Sequence, residues 1–141
     1  MKKMFLLAIA PFIFASCDKE EILPDNKIPS EIISYIDTHF PENPIIQTVK
    51  DSDGWELTYD IILEGGFSLE FNRKKEVIDI EGQSKLPVSV IPAKLLAYIA
   101  ENYADNFIVG WELEDRNQQI KLDNGLELEF TMAGNFLRID N

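Results

Sequence analysis

His39 and Cys17 are the only imidazole and the only thiol in the chain. A catalytic imidazole needs a nucleophile beside it and an acid to orient it, and the sequence assigns neither to His39. That residue ends a helical stretch, where a cation complements the helix dipole. One Cys and one His exclude a disulfide within the chain and a Cys/His zinc cluster. Asp51-Ser52-Asp53-Gly54 has the opening of a calcium loop, but the EF-hand pattern also needs a third ligand before the glycine and a bidentate Glu six residues after it. Residue 60 is Asp and the intervening stretch alternates like a strand, so these four residues read as a turn. Glu70 with Glu129, and Glu81 with Asp140, suggest paired carboxylates. Glycoside hydrolysis requires two such groups on opposite sides of one bond in a cleft, whereas these fall on the polar side of alternating strands. The expectation is a protein without catalytic residues, metal or cofactor.

The balance of charge narrows the partners. The 141 residues carry 13 Lys+Arg against 25 Asp+Glu, a formal charge of -12, and 45% of them are hydrophobic. That is enough apolar material for one compact domain. The acidic excess repels phosphate backbones, so nucleic acid is not expected as a partner.

The first residues read as an address. Lys2 and Lys3 precede an apolar run from Met4 to Ala15, and small residues follow at Ala15-Ser16. Basic, apolar and small-residue zones in that order form a secretory signal, too short to span a bilayer and weakened as a helix by Pro11. Phe14-Ala15-Ser16-Cys17 resembles the lipobox of bacterial lipoproteins, with Phe14 where Leu is usual and Ser16 where Gly or Ala is commoner. The resemblance implies a signal peptide over 1–16 and lipidation of Cys17; the alternative is a secreted protein with a free or buried thiol. Loss of 1–16 leaves 11 basic residues against 25 acidic ones, a net charge of -14. Anionic lipid repels such a body, so the membrane would hold it by the acyl anchor alone. Asp18-Lys19-Glu20-Glu21 is similar to the surface-export signal of Bacteroidetes lipoproteins; otherwise residues 17–27 read as a polar tether.

Beyond that segment the chain repeats itself. Ile28-Pro29 through Phe40 lies over Ile91-Pro92 through Tyr103 at an offset of 63, and Gly66 through Phe71 lies over Gly125 through Phe130 at an offset of 59. Ile32, Ile33, Ile36 and Phe40 recur at helical spacing, as do Leu95, Leu96, Ile99 and Tyr103, with Pro29 and Pro92 placed for a first turn. Then the period drops to two. Trp55, Leu57, Tyr59, Ile61 and Leu63 share one side, and Glu56, Thr58 and Asp60 the other. Turn-forming clusters such as Asp51-Ser-Asp-Gly54, Glu64-Gly-Gly66 and Asp123-Asn-Gly125 separate the strands. Each copy is predicted as one helix and four antiparallel strands, near 45–50, 55–63, 67–72 and 76–81, then 107–114, 118–122, 126–131 and 135–140. The fold class is therefore α+β: two tandem helix-plus-four-strand units over 28–82 and 88–141, helices on one sheet face. A unit this small is marginal alone, so a shared core or continuous sheet is expected.

The Ile-Pro start, the short helix, Trp-x-Leu-x-Tyr, Gly-x-x-Leu-Glu-Phe and the terminal Ile-Asp resemble the PepSY-like family of Bacteroidetes envelope proteins, which is similar in fold to beta-lactamase inhibitor protein. The resemblance covers nearly all of the chain after the signal. The family's Phe-Asp after the third strand is absent: the two copies have Phe71-Asn72 and Phe130-Thr131.

Strict alternation places Ile78 and Ile80 in the core and Val77 outside, and likewise Leu137 and Ile139 inside with Phe136 outside; it also separates Ile108 from Trp111. Aromatics among carboxylates form a protein-binding surface. The expected site is thus the sheet face away from the helices, with Val77, Trp111 and Phe136 as anchors and Glu70, Glu127 and Glu129 as a polar rim. The alternative is that a loop or the other repeat covers these residues. The function expected is a non-catalytic envelope lipoprotein, outer-membrane anchored and facing the periplasm or the medium, that binds an envelope protein or peptide. Its alternatives are an inhibitor or modulator of a peptidase or beta-lactamase, as the resemblance implies, and small-molecule binding between the repeats.

Overall fold

Why an alternating sequence yields one continuous sheet is explained by the way its strands follow one another. The computed structural model describes residues 18–140. The signal peptide and Cys17 lie outside them. Nine strands run as an antiparallel meander, each pairing with its neighbours in chain order. They are β1 (Asp18–Ile22), β2 (Ile45–Asp53), β3 (Glu56–Leu63), β4 (Phe67–Phe71), β5 (Val77–Gly82), β6 (Ile108–Leu113), β7 (Asn117–Leu122), β8 (Glu127–Thr131) and β9 (Phe136–Asp140). Helix α1 (Ser30–His39) precedes β2, and α2 (Ala93–Asn102) precedes β6. The two helix-plus-four-strand units expected from the repeat are present. They join through β5 and β6, which pair over Asp79–Glu112, Ile80–Trp111 and Glu81–Gly110.

The units build their helix–sheet contact in the same way. Pro29 and Pro92 each stand one residue before the helix, a position earlier than the first turn. Their carbonyls accept from Ile32 and Ile33, and from Leu95 and Leu96, at 3.0–3.2 Å. Ile32, Ile36 and Phe40 of the first unit, and Leu95 and Ile99 of the second, are buried against the sheet. Tyr35 meets Phe71 edge-on at 5.5 Å, and the equivalent Tyr98 meets Phe130 edge-on at 5.3 Å. Edge-to-face pairs add to the stabilisation from buried area alone. Both helices therefore sit on one face, over a cross-strand row made of Thr48, Ile61, Leu69, Ile80, Trp111, Ile120, Leu128 and Ile139.

Four β-bulges change which side chains belong to that row. One extra residue interrupts the register between Ile45 and Gln47 and, equivalently, between Ile108 and Gly110. A second pair of bulges lies opposite Glu70/Phe71 and Glu129/Phe130. Each bulge resets the alternation. Ile108 and Trp111, expected on opposite faces, are consequently both buried on the helix side. Val77 pairs with Phe71 and packs on the core, so it does not point outward. Phe136 pairs with Phe130 and stacks on Tyr98 of α2 at 4.9 Å, so it too belongs to the helix side. Ile78, expected in the core, instead lines a cleft with Glu56, Thr58 and Glu70.

Two further expectations are corrected. Residues 17–27 are not a tether throughout: β1 pairs with β2 along its whole length, and Leu23 is buried in the core. The backbone N–H of Leu23 continues the ladder to the Thr48 carbonyl at 2.9 Å. Strand β1 occupies the edge of β2 that corresponds to the edge of β6 covered by β5. Trp55 is not a core residue either. It lies in the hairpin between β2 and β3, next to Gly54 at φ +60, and is 85% exposed.

If residues 18–23 belong to the folded body, Leu23→Ala should cost about 2–4 kcal/mol in denaturant unfolding, while Glu20→Ala should stay within about 0.5 kcal/mol. Equal, negligible effects of both would mean that the segment is a tether after all.

Candidate functional site

Next to the apolar row, one residue along each strand, runs its polar counterpart on the face opposite the helices. The cross-strand partners are Val49, Asp60, Glu70, Asp79, Glu112, Gln119, Glu129 and Arg138, one from each strand β2 to β9. Four carboxylates, Asp60 to Glu112, thus stand side by side across β3, β4, β5 and β6. Directly opposed like charges destabilise a sheet. Asp60, Glu70 and Asp79 are half-buried among their neighbours.

The electrostatic consequence is largest at the centre. Burial, and then the charges of Glu81, Glu112 and Glu70, push the Asp79 carboxyl up to about 6, against a backbone hydrogen bond to Ile80 that acts the other way. Burial raises Glu70, helped by Asp60, Glu112 and Asp51. Burial likewise raises Asp60, helped by Asp51 and Glu20. Desolvation and like charge both penalise the ionised form, and a cation placed over the row would relieve both.

The edges of the row are relieved internally. Glu129 is only 5% exposed and pairs with Arg138, whose Nε lies 2.7 Å from its Oε2, while Asn117 Nδ2 donates to its Oε1. It is a buried, paired carboxylate and not part of a solvated rim. In the next rung Glu81 reaches Lys121 at 3.9 Å across Gly110. A Cβ at Gly110 would sit 3.0 Å from the Cβ of Lys121, so the glycine keeps a shallow notch of about 50 Å³ open between Asp79, Glu112 and Glu127. From Glu70 a cleft of about 330 Å³ runs along the strands to the exposed Trp55, bordered by Glu56, Ile78 and Arg73.

Of the six residues expected to bind a partner, Glu70 and Glu127 lie on this face as solvent-accessible carboxylates, and Glu129 lies on it buried. Val77, Trp111 and Phe136 are on the other face. The Trp111 indole Nε1 donates to Gln118 Oε1 at 3.1 Å, and Gln118 Nε2 donates to the Thr131 carbonyl at 3.1 Å, so that ring is fixed in the core. Asp60, Asp79, Glu112 and Trp55 were not singled out from the sequence. Gly54 beside Trp55 was the available signal, because a ring next to a turn glycine leaves the strand alternation.

Other chemistry is sparse among the described residues. No three His, Cys, Asp or Glu side chains come together as a metal site. Of the four residues read as a turn, Asp51, Ser52 and Asp53 instead pair as the end of β2, and the chain turns at Gly54 and Trp55. His39 Nδ1 lies 2.9 Å from Ser89 Oγ, a contact that ties α1 to the short turn before α2. Both groups are at the surface, and no carboxylate in the described residues hydrogen-bonds to the ring. Two apolar grooves of about 360 and 350 Å³ occupy equivalent places beside α2 and α1, each within one unit and not between the two.

Relatives place this geometry in a known group. Residues 14–79 and 57–138 each match the family described as "putative beta-lactamase-inhibitor-like, PepSY-like". A periplasmic protein of the DUF2874 family from Bacteroides vulgatus is similar at a TM-score of 0.82 and 32% identity, over 89% of this chain and 99% of that one. A protein from Bacteroides thetaiotaomicron, described as a calcium-regulated periplasmic protein, is similar at 0.81 and 26%, over 86% and 97%. A second Bacteroides vulgatus periplasmic protein, described as of unknown function, is similar at 0.81 and 28%, over 87% and 100%. No curated protein matches the chain. The descriptions of these neighbours support an envelope location.

The raised Asp79 has a consequence for stability. Its folded-state value near 6 exceeds the ordinary 3.8, so the folded state holds the proton more tightly. Stability should therefore rise as pH falls from above 7 through 6, and Asp79→Asn should stabilise the protein at pH 7.5 by on the order of 1 kcal/mol, a figure reduced for its half-exposed position. Thermal melts from pH 7.5 to 5 check this; a less stable Asp79→Asn at pH 7.5 contradicts it.

Proposed function

The chain belongs to the PepSY-like, beta-lactamase-inhibitor-like family, and on that premise we propose that it is a non-catalytic envelope lipoprotein whose carboxylate row binds a cationic stretch of a protein partner. The observation that carries the reading is the run of Asp60, Glu70, Asp79 and Glu112 across four neighbouring strands. Such a run costs stability in the free protein and gains from a ligand of opposite charge. An extended Lys- or Arg-rich segment laid across the strands would place its charges over the row. Trp55 stands in the β2–β3 hairpin at the far end of the cleft that begins at Glu70, where its exposed ring offers a cation–π contact to one more basic side chain. Lipidation at Cys17 would hold this face near the outer membrane, on the periplasmic or the outer side.

The family description favours a second reading, in which the partner is an enzyme and binding slows it. The same face would serve. Peptidase or beta-lactamase turnover measured with and without the protein separates inhibition from passive binding. Calcium, which one relative's description invokes, would act on this chain by bridging or screening the row, since the described residues form no ready-made cage for it.

The test is direct binding of an extended Lys/Arg-rich peptide by calorimetry. Combining Asp60→Asn, Glu70→Gln and Asp79→Asn should weaken binding by roughly tenfold or more, and Trp55→Ala by a few-fold. The same charge change on the helix side, Glu31→Gln, Asp37→Asn and Glu101→Gln, should have a much smaller effect. Equal losses from the two triple variants would show that overall charge, not the row, does the binding.

A further inference from the structure

The two units are copies, but the outer edges of their last strands are in different states. Strand β5 is covered by β6, whereas its counterpart β9 ends the sheet and has no strand beyond it among the described residues. The covered edge uses only Asp79, Ile80 and Glu81, the three residues after the bulge. Their equivalents on β9 are Arg138, Ile139 and Asp140, paired on the inner side with Glu129, Leu128 and Glu127. The apolar row under the helices is buried from Thr48 to Leu128, then stops at Ile139, which is 42% exposed.

The opposite edge of the sheet shows how an edge is kept solitary. Strand β1 reads Asp18-Lys19-Glu20-Glu21-Ile22, and its four consecutive charged residues discourage a second chain from pairing. Strand β9 carries Phe136, Leu137 and Ile139, all exposed, with one basic and one acidic residue.

We infer that β9 is a homodimerisation edge, pairing antiparallel with β9 of a second copy about a twofold axis through Ile139. An axis perpendicular to the sheet keeps both helix layers on one side and both carboxylate rows on the other. In this register Ile139 meets the second Ile139 and completes the apolar row. Arg138 faces Asp140 of the second copy, and Asp140 faces its Arg138. Arg138 and Asp140 share the carboxylate face, so the two charges meet on one side of the sheet. The pairing is free to form because Arg138 contacts Glu129 through Nε alone, leaving its terminal Nη groups to donate to a second carboxylate. Asp140 accepts only a long hydrogen bond, 3.4 Å, from Gln119 Nε2. The junction is as short as the one between β5 and β6, where three residue pairs join two units already held by one chain, so between separate chains it gives a weak, concentration-dependent dimer.

The test uses the full chain with Cys17→Ser, which removes acyl-mediated association and the only native thiol. Sedimentation velocity over a concentration series should show monomer converting to dimer. Asp140→Arg, which sets arginine against arginine across the axis, should weaken dimerisation by roughly tenfold, with circular dichroism and melting temperature retained. Ile139→Cys in the same background should form an intermolecular disulfide under mild oxidation, whereas Glu20→Cys on the opposite edge should not. A chain that stays monomeric at every concentration overturns the inference, including one that instead accepts an added peptide on β9. So does a dimer indifferent to Asp140→Arg in which Ile139→Cys fails to crosslink.

Discussion

A strand's side chains alternate without exception unless a residue is inserted, and this fold depends on four insertions. The bulges recur at two equivalent places in each unit, before the first paired run and inside the last hairpin. Without them, the aromatic and aliphatic residues at the strand ends would fall on the solvent side. With them, Val77 and Phe136 join Phe71 and Phe130 on the side of Tyr35 and Tyr98, and Trp111 shares the core with Ile108 beside Ile80. The same correction aligns the acidic residues into a single rung, because what brings the apolar row into register brings the neighbouring row into register as well.

Two adjacent rungs therefore oppose each other energetically. Burial of each large apolar side chain in the helix-side row contributes about 1.5–3 kcal/mol. The crowded carboxylates subtract an amount on the order of 1 kcal/mol at the most perturbed of them, Asp79. The apolar row wins easily, so the fold tolerates a face that would not form by itself. That tolerance is where a function can reside: a surface held in an unfavourable state by the rest of the molecule has free energy to release on binding. Salt screens such a surface and protonation neutralises it, so its strength is set by the medium around the envelope as well as by the partner.

Much of the architecture was legible in the sequence, and the reasons are local. The gapless overlap of Ile28–Phe40 with Ile91–Tyr103 gave the duplication. Pro29 and Pro92 marked the helix starts to within a residue, and glycine turns bounded the strands. Glu70 and Glu127 were correctly placed on the face away from the helices. The bulges were invisible, because an extra residue in Val77-Ile78 or Phe136-Leu137 looks like one more step of an apolar run. That one loss of phase moved Val77 and Phe136 to the wrong side, and the matching one near Val109 did the same for Trp111. Strand β1 was missed because Asp18–Glu21 has the composition of a linker; only pairing with β2 makes it a strand. The carboxylate row was missed for a related reason. It is assembled one residue per strand, and Asp60, Glu70, Asp79 and Glu112 are separated by 10, 9 and 33 positions in the chain.

The most direct measurement is an NMR titration of the chain with a cationic peptide, following backbone amides on both faces. The account predicts that shifts concentrate at Asp60, Glu70, Asp79, Glu112 and the Trp55 hairpin, while α1 and α2 remain unperturbed. Shifts centred on the helices or their grooves, with the carboxylate row silent, would contradict it.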